Sequence, residues 1–263
     1  MEDGLAHREP RPLLRLLWIV LAGAAVLYLT ACLWLWAQQR SLIYYPVATR
    51  LAQVPVEVLR RDGLKVLASV QPRPGANAVL YFGGNAEDVS RTVPQLAVQF
   101  PDAAVYALHY RGYGGSEGRP SEDALVGDAL ALFDRAAQGH PRITLIGRSL
   151  GSGIAVQVAA ARPTERLVLV TPFDSLAGVA ARHYPWMPVQ WLLRDDYDAA
   201  ARAGRVRAPT TLLIAERDVV IPPEHARALL GAFAPGVARA VSFPEAGHDD
   251  IGYAPGYAEA VAR

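Results

Sequence analysis

Hydrophobic residues are distributed along the chain in two ways. Near the N-terminus, residues 16–37 form an apolar run of 22 residues without a charged side chain. Beyond residue 41, short apolar runs alternate with longer segments of mixed polarity. Short runs bounded by turn residues predict buried strands, and the longer segments between them predict helices. The predicted order is two strands within 54–70, strand 78–82, helix 86–99, strand 103–109, helix 121–137, strand 142–146, helix 150–161, strand 166–170, strand 210–215 and a last strand at 240–243.

This alternation of strands and helices over residues 41–263 predicts one α/β domain. Its sheet is expected to be twisted and mostly parallel, with helices on both faces. Residues 172–207 interrupt the alternation and carry large apolar side chains, among them Trp186 and Trp191. They predict a cap insertion whose tryptophans contact an apolar part of the substrate. The alternative is a helix pair that buries these large side chains against the domain and has no role in selectivity.

The apolar run 16–37 predicts a transmembrane anchor helix. A helix of this length spans about 33 Å, close to the thickness of the hydrocarbon core of a bilayer. Trp18 lies near one end, and Trp34 and Trp36 lie near the other. Tryptophans at both ends of an apolar segment are typical of the two membrane interfaces. The chain is therefore expected to be a single-pass membrane protein.

The flanks of this run predict its orientation. Three arginines precede the run and two follow it, namely Arg8, Arg11 and Arg15, then Arg40 and Arg50. The bias predicts a cytoplasmic tail over residues 1–15 and places the α/β domain on the outer face. Lys65 is the single lysine among 26 basic residues, a skew typical of GC-rich bacterial genomes, so a bacterial inner membrane is expected.

A cleaved lipoprotein is the alternative to this anchor. Leu29-Thr30-Ala31-Cys32 is similar to a bacterial lipobox, with the only cysteine at the modified position. The apolar run nevertheless continues past Cys32 to Trp36, whereas the apolar region of a signal peptide is shorter. This continuation favours an uncleaved anchor.

Two segments match the pattern G-x-S-x-G, which is typical of a nucleophile elbow. Gly147–Gly151 follows a predicted strand and precedes a predicted helix, and this is the context that the elbow requires. Gly114–Gly118 also matches, but its flanks have the composition of a loop. Ser149 is therefore predicted to be the nucleophile, and Ser116 is not.

A serine nucleophile needs a histidine base and a carboxylate that orients it. Asp218 follows strand 210–215, and His248 lies in a glycine-flanked loop after the last strand. Catalytic groups gather at the carboxyl ends of the strands in open α/β sheets. Asp218 and His248 are therefore predicted to complete a triad with Ser149. Asp174 and Glu216 remain alternative acids, since each also follows a strand.

An oxyanion hole requires two donors beside the serine. The backbone N–H of Leu150, which follows the nucleophile, is predicted to be one of them. The second is expected from the loop after strand 78–82, where Gly83-Gly84 allows close approach of the backbone to a substrate. The Asn85 N–H is the preferred donor, and a plain Gly-Gly turn is the alternative.

Composition excludes several other function classes. The formal net charge is +1 and no dense basic cluster occurs, so nucleic-acid binding is not expected. One cysteine excludes an internal disulfide framework and a cysteine-based zinc site. The chain has neither a P-loop nor a dinucleotide-binding fingerprint, and no cofactor or metal is implied.

Together these motifs resemble those of the α/β-hydrolase superfamily. The resemblance is carried by Phe82–Ala86, Tyr110–Gly118, Gly147–Gly151 and Gly247–Asp249, and it covers residues 41–263. The most similar branch is that of the membrane-anchored serine hydrolases with a serine-aminopeptidase-like domain, which includes protein and lipid deacylases. Two departures are visible: Gly83 stands where the family loop usually has histidine, and Asp249 stands where asparagine usually follows the catalytic histidine.

The resemblance and the anchor together imply a serine hydrolase that acts on ester or thioester bonds. A small-molecule or lipid-like acyl substrate is expected, because the domain is tethered to a membrane. Two alternatives stay open. A serine aminopeptidase would need an acidic group for the substrate ammonium, for which Asp174, Asp195 and Asp196 are available. A non-catalytic scaffold that keeps the fold for binding a partner is the other.

Overall fold

A computed structural model describes residues 12–48, 50–51 and 53–263. The chain separates after Gln39 into two compact units. The N-terminal unit contains most of helix α1 (Pro12–Ile43), which is long and apolar enough to cross a membrane by length and composition. The helix extends beyond 16–37 at both ends. Residues 1–11 of the predicted tail, with Arg8 and Arg11, lie outside the described residues.

The second unit, Arg40–Arg263, has the alternating order expected of an α/β domain. Its strands are β1 (Val56–Arg61), β2 (Leu64–Gln71), β3 (Asn77–Phe82), β4 (Ala103–Leu108), β5 (Arg142–Arg148), β6 (Arg166–Val170), β7 (Thr210–Ala215) and β8 (Ala238–Phe243). Its helices are α2 (Val93–Gln99), α3 (Glu122–Ala137), α4 (Leu150–Ala161), α5 (Leu176–His183), α6 (Val189–Leu192), α7 (Ala200–Ala203), α8 (Pro223–Ala232) and α9 (Tyr257–Ala262).

The strands form one sheet in the order β1-β2-β4-β3-β5-β6-β7-β8. β2 is antiparallel to both β1 and β4, and the remaining pairs are parallel. The β1–β2 turn is made by Asp62 and Gly63, both with positive φ. Because β3, β5, β6, β7 and β8 run in one direction, the loops that follow them meet at one edge of the sheet. The mostly parallel sheet that the sequence predicts is confirmed.

Hydrophobic clusters cover both faces of this sheet. Leu145 of β5 belongs to the cluster that includes Ile154 of α4, whereas its neighbour Ile146 belongs to the cluster that includes Leu96 of α2. Successive side chains of a strand point to opposite faces, so a strand buried on both sides reads as a continuous apolar run. This explains why the sequence pattern locates the strands well.

The predicted helix 86–99 is wrong in its first part. Ala86 has a φ of 57°, and the Asp88 side chain accepts a hydrogen bond from Ser90 N, which caps a short 3₁₀ turn over Val89–Arg91. The α-helix begins only at Val93, with a proline in its first turn. Proline is compatible with the first turn of a helix because the N–H that it lacks has no partner inside the helix. Residues 86–88 therefore belong to the loop after β3.

Candidate active site

Ser149 lies on a strained corner between β5 and α4. Its φ of 49° and ψ of −119° fall in a region that residues with a side chain rarely adopt. A Cβ at Gly147 would lie 2.4 Å from the carbonyl oxygen of Gly151, and a Cβ at Gly151 would lie 2.0 Å from that of Phe82. Both neighbours are backbone atoms and cannot rotate away. The two glycines of the motif are therefore steric requirements of this turn.

The structure brings His248 and Asp218 to this serine. His248 Nε2 lies 3.0 Å from Ser149 Oγ, and His248 Nδ1 lies 2.6 Å from Asp218 Oδ2. A carboxylate only accepts hydrogen bonds, so Nδ1 carries the proton and Nε2 is free to accept from the serine hydroxyl. Asp218 is buried, and its Oδ1 accepts from the backbone N–H groups of Val220 and Ile221 at 2.8 and 2.7 Å. The carboxylate is therefore held in one orientation toward the imidazole.

Two backbone N–H groups belong to segments that adjoin the serine. The N–H of Leu150 begins α4, and that of Asn85 lies in the loop after β3; neither donates to an acceptor within the described residues. This loop approaches the serine closely, since a Cβ at Gly84 would lie 3.6 Å from Ser149 Cβ. The Gly84 N–H differs from the other two because it donates to Glu87 Oε2 at 2.7 Å.

Further polar side chains support the site, and the sequence analysis did not single them out. Glu87 accepts from Gly84 N, and its other oxygen accepts from the Tyr81 hydroxyl at 2.8 Å. Burial, followed by the charge of Glu87, raises the pKa of Tyr81 well above its ordinary value. Arg148 Nη2 donates to the carbonyl oxygen of His248 at 3.3 Å. These contacts link the loops after β3 and β8 to the nucleophile corner.

The comparisons with known proteins identify the superfamily of the chain. The sequence profile of the alpha/beta hydrolase fold matches residues 77–196. An uncharacterized protein of Mycobacterium tuberculosis is 36% identical over 247 residues, which cover 88% of each chain. The chain belongs to the α/β-hydrolase superfamily. Within it, the chain is 26% identical over 215 residues to the protein bem46 of Schizosaccharomyces pombe, covering 76% of this chain and 71% of that protein.

Two further comparisons extend the superfamily likeness. The lysophosphatidylserine lipase ABHD12 of Macaca fascicularis is 30% identical over 175 residues, which cover 57% of this chain and 43% of the lipase. Among solved structures, a Pyrococcus furiosus esterase superimposes with a TM-score of 0.67 at 15% identity, over 83% of this chain and 96% of the esterase. At that identity, the likeness establishes the fold alone.

In this α/β hydrolase, Gly83 stands where the family loop usually has histidine, and other residues support the loop. A Cβ at Gly83 would lie 2.4 Å from Cγ1 of the buried Val89, so the space is already occupied. The carbonyl oxygen of Gly83 accepts from the buried Tyr110 hydroxyl at 2.7 Å. Asp249, the other departure, is exposed and lies 3.6 Å from Arg148 Nη2.

The residues considered as alternative members of the triad bond to other partners. Ser116 is buried; its hydroxyl donates to the carbonyl oxygen of His109 at 2.8 Å and accepts from Leu67 N. Asp174 lies 2.8 Å from Nδ1 of a different histidine, His225. Glu216 binds an arginine on α8 instead of a histidine. Among the described residues, no group of three or more His, Cys, Asp or Glu side chains is arranged to hold a metal ion.

The insertion 172–207 contains α5, α6 and α7 and leaves its tryptophans in solvent. Trp186 is 53% exposed and Trp191 is 88% exposed. The alternative, in which the domain buries the large apolar side chains of the insertion, is therefore wrong for both tryptophans, whereas Phe173 is buried. Nε2 of His183, at the end of α5, lies 3.0 Å from the carbonyl oxygen of Val220 in the Asp218 loop. The insertion thus adjoins the loop that carries the buried carboxylate.

Proposed function

We propose that this α/β hydrolase is a membrane-anchored serine hydrolase that cleaves carboxylic ester or thioester bonds in acyl, lipid-like substrates. One observation carries the proposal: an unbroken hydrogen-bonded series runs from Asp218 through His248 to Ser149, with spacings of 2.6 and 3.0 Å. A series of this geometry activates a serine hydroxyl, which is a weak nucleophile by itself.

The acylation step uses each member of this series. Ser149 Oγ attacks the substrate carbonyl carbon while His248 Nε2 takes the hydroxyl proton. The carbonyl oxygen becomes an oxyanion, and the N–H groups of Leu150 and Asn85 are available to stabilise it because neither donates to an acceptor within the described residues. Asp218 stabilises the imidazolium that forms. The bond to the leaving group then breaks, and His248 returns its proton to the departing alcohol or thiol.

Deacylation repeats the same chemistry with water. His248 takes a proton from a water molecule, which attacks the acyl carbon and forms a second oxyanion in the same donor pair. Collapse of this intermediate breaks the bond to Ser149 Oγ, which recovers its proton from His248 and releases the carboxylic acid. No metal or cofactor takes part in this cycle.

Three features support an acyl, lipid-like substrate. The apolar helix α1 is suited to hold the protein at a membrane. The exposed Trp186 and Trp191 offer apolar surface on the cap, beside the Asp218 loop. One relative is named as a lysophosphatidylserine lipase, although the matched region is only part of that protein. The proposed topology places the N-terminus in the cytoplasm and the domain outside a bacterial inner membrane.

A serine aminopeptidase is the second candidate, and the acidic side chains weigh against it. A carboxylate that binds a substrate ammonium has to be available to it. Asp174 pairs with His225, Asp195 pairs with Arg40, and Asp196 accepts from Ala177 N. A non-catalytic scaffold is also disfavoured, because such a protein has no need of a complete triad.

A substrate panel tests the proposed reaction. The full-length protein in detergent is offered p-nitrophenyl esters of increasing acyl length, an acyl thioester and aminoacyl p-nitroanilides, with Ser149→Ala as the inactive control. The expected result is hydrolysis of esters and thioesters that is absent in Ser149→Ala. Preferential cleavage of the anilides would support the aminopeptidase instead. Intact mass measurement of the membrane form tests the anchor, because a chain that begins at an acylated Cys32 would contradict it.

A further inference from the structure

The segment that leads from the apolar helix into the domain is fastened to the domain surface. We call residues 40–47 the strap. The Arg40 guanidinium pairs with the buried carboxylate of Asp195 at 2.9 Å, and the hydroxyls of Tyr44 and Tyr197 lie 2.8 Å apart in the interior. At the other end, the carbonyl oxygen of Val47 accepts from Gly114 N at 2.7 Å. The strap is thus a bound part of the domain surface, fixed at both ends.

Between these ends, the strap holds the side chain of one residue, Asn85. Its Nδ2 donates to the carbonyl oxygen of Ile43 at 2.5 Å, and its Oδ1 accepts from Tyr45 N at 2.9 Å. The same oxygen accepts from the Tyr113 hydroxyl at 2.8 Å and from Ala86 N at 3.0 Å. Both ends of the amide are therefore used, and an amide is required because the strap offers one acceptor and one donor.

Asn85 is also the residue whose backbone N–H is the second proposed oxyanion donor. Such a donor must lie about 2.7–3.1 Å from the oxyanion that forms, so small displacements of the loop weaken it strongly. The loop begins with Gly83-Gly84, whose backbone is held by the Tyr110 hydroxyl at the Gly83 carbonyl oxygen and by Glu87 at the Gly84 N–H. Asn85, which follows them and carries the donor, is held through its side chain, by the strap on one side and Tyr113 on the other.

We propose that the strap is a positioning element for the oxyanion hole, and that the Asn85 side chain is the positioning residue through which it acts. The inference rests on the proposed function, because it gives the Asn85 N–H a part in catalysis. It follows that the residues joining the anchor to the domain also set the turnover rate. The strap acts on the transition state, so its loss affects kcat more than KM.

Two kinds of variant separate positioning from simple tethering. Asn85→Ala removes the side-chain link and keeps the backbone N–H. The double variant Arg40→Met with Tyr44→Phe loosens the strap and leaves every atom of the oxyanion loop in place. Asn77→Ala is the matched control. Asn77 begins β3, the strand that precedes the Asn85 loop, so it lies at the opposite end of that strand, and it binds the surface residue Arg142.

The experiment measures kcat and KM of the full-length proteins in detergent with a short p-nitrophenyl ester, together with thermal unfolding and the rate of fluorophosphonate labelling. In Asn85→Ala we expect kcat to fall about 10²-fold while KM changes little. In the strap double variant we expect about a tenfold fall in kcat. We expect Asn77→Ala to behave as wild type in all three measurements.

The outcomes separate this inference from the proposed function. If the wild type turns over esters and accepts the label while Asn85→Ala keeps an unchanged kcat, the positioning role is overturned and the serine hydrolase proposal stands. If Asn85→Ala does not fold, an unchanged kcat in the strap double variant would overturn it equally. A folded wild type that neither turns over esters nor accepts the label would overturn both proposals.

Discussion

Replacing Asp218 with asparagine reverses the hydrogen-bonding pattern of the site while preserving its shape. In the structure, Oδ1 of Asp218 accepts from two backbone N–H groups, those of Val220 and Ile221. In Asp218→Asn these donors still require an acceptor, so the amide oxygen takes the Oδ1 position. The amide nitrogen then faces His248 Nδ1, where the carboxylate oxygen now stands at 2.6 Å.

The size of the effect follows from the tautomer that this arrangement selects. An amide N–H pointing at Nδ1 requires Nδ1 to accept, so the imidazole proton moves to Nε2. A protonated Nε2 cannot take the proton of Ser149, which lies 3.0 Å away. In triads of this kind, the wrong tautomer lowers kcat by about 10⁴-fold. At about 1.36 kcal/mol per tenfold, this corresponds to roughly 5.5 kcal/mol of transition-state stabilisation.

Asp174→Asn is the matched control for this prediction. Asp174 also follows a strand and also holds a histidine, since His225 Nδ1 lies 2.8 Å from its carboxylate. The assay is kcat/KM for a short ester, with thermal unfolding to show that both variants fold. We expect Asp174→Asn to stay within about threefold of wild type, which is a small change in transition-state binding. Retention of a tenth or more of the activity by Asp218→Asn, or an equal loss in Asp174→Asn, would refute the assigned roles.

Three further predictions concern stability, pH and substrate choice. Gly151→Ala forces a Cβ against a backbone carbonyl, so we expect the free energy of unfolding to fall by about 1–3 kcal/mol and labelling to be abolished. Gly139→Ala, whose Cβ would meet no atom within 4 Å among the described residues, is expected to behave as wild type. Burial lowers the pKa of His109 from 6.5 to about 4, so the neutral form is favoured. Stability linked to this histidine is therefore complete above pH 6.5 and lost as the pH falls toward 4. We expect His109→Gln to remove about 3 kcal/mol of the decrease in the free energy of unfolding between pH 7 and pH 4, as measured by denaturant unfolding. An unchanged pH dependence in this variant would contradict the prediction. Replacing Trp186 and Trp191 with alanine is expected to lower the preference for long over short acyl esters, and an unchanged preference would count against a selective cap.

The sequence predicts best those features that are set by short-range rules. The parallel strands are recognisable because each is buried on both faces and reads as an apolar run. The place of Ser149 is recognisable because its turn tolerates only glycine at Gly147 and Gly151. Asp218 and His248 are identified as candidates because parallel strands bring the loops that follow them to one edge of the sheet.

The features that escape sequence reasoning depend on contacts between distant segments. The Asn85 side chain is bound by residues about 40 positions earlier and by Tyr113, 28 positions later. Tyr110 supports Gly83 across 27 positions. Tyrosines and asparagines of this kind have no periodicity or spacing that marks their partners. The start of α2 is missed for a different reason, since local capping by Asp88 outweighs helix propensity there.

Fluorophosphonate labelling followed by intact mass measurement tests the central claim most directly. The wild type is compared with Ser149→Ala and Ser116→Ala, because both serines occupy a G-x-S-x-G segment. Of the two hydroxyls, that of Ser149 lies beside a histidine ring nitrogen, whereas that of Ser116 bonds backbone groups of His109 and Leu67. We predict one adduct on the wild type and on Ser116→Ala, and none on Ser149→Ala. A folded wild type without an adduct, or an adduct that persists in Ser149→Ala, would contradict the account.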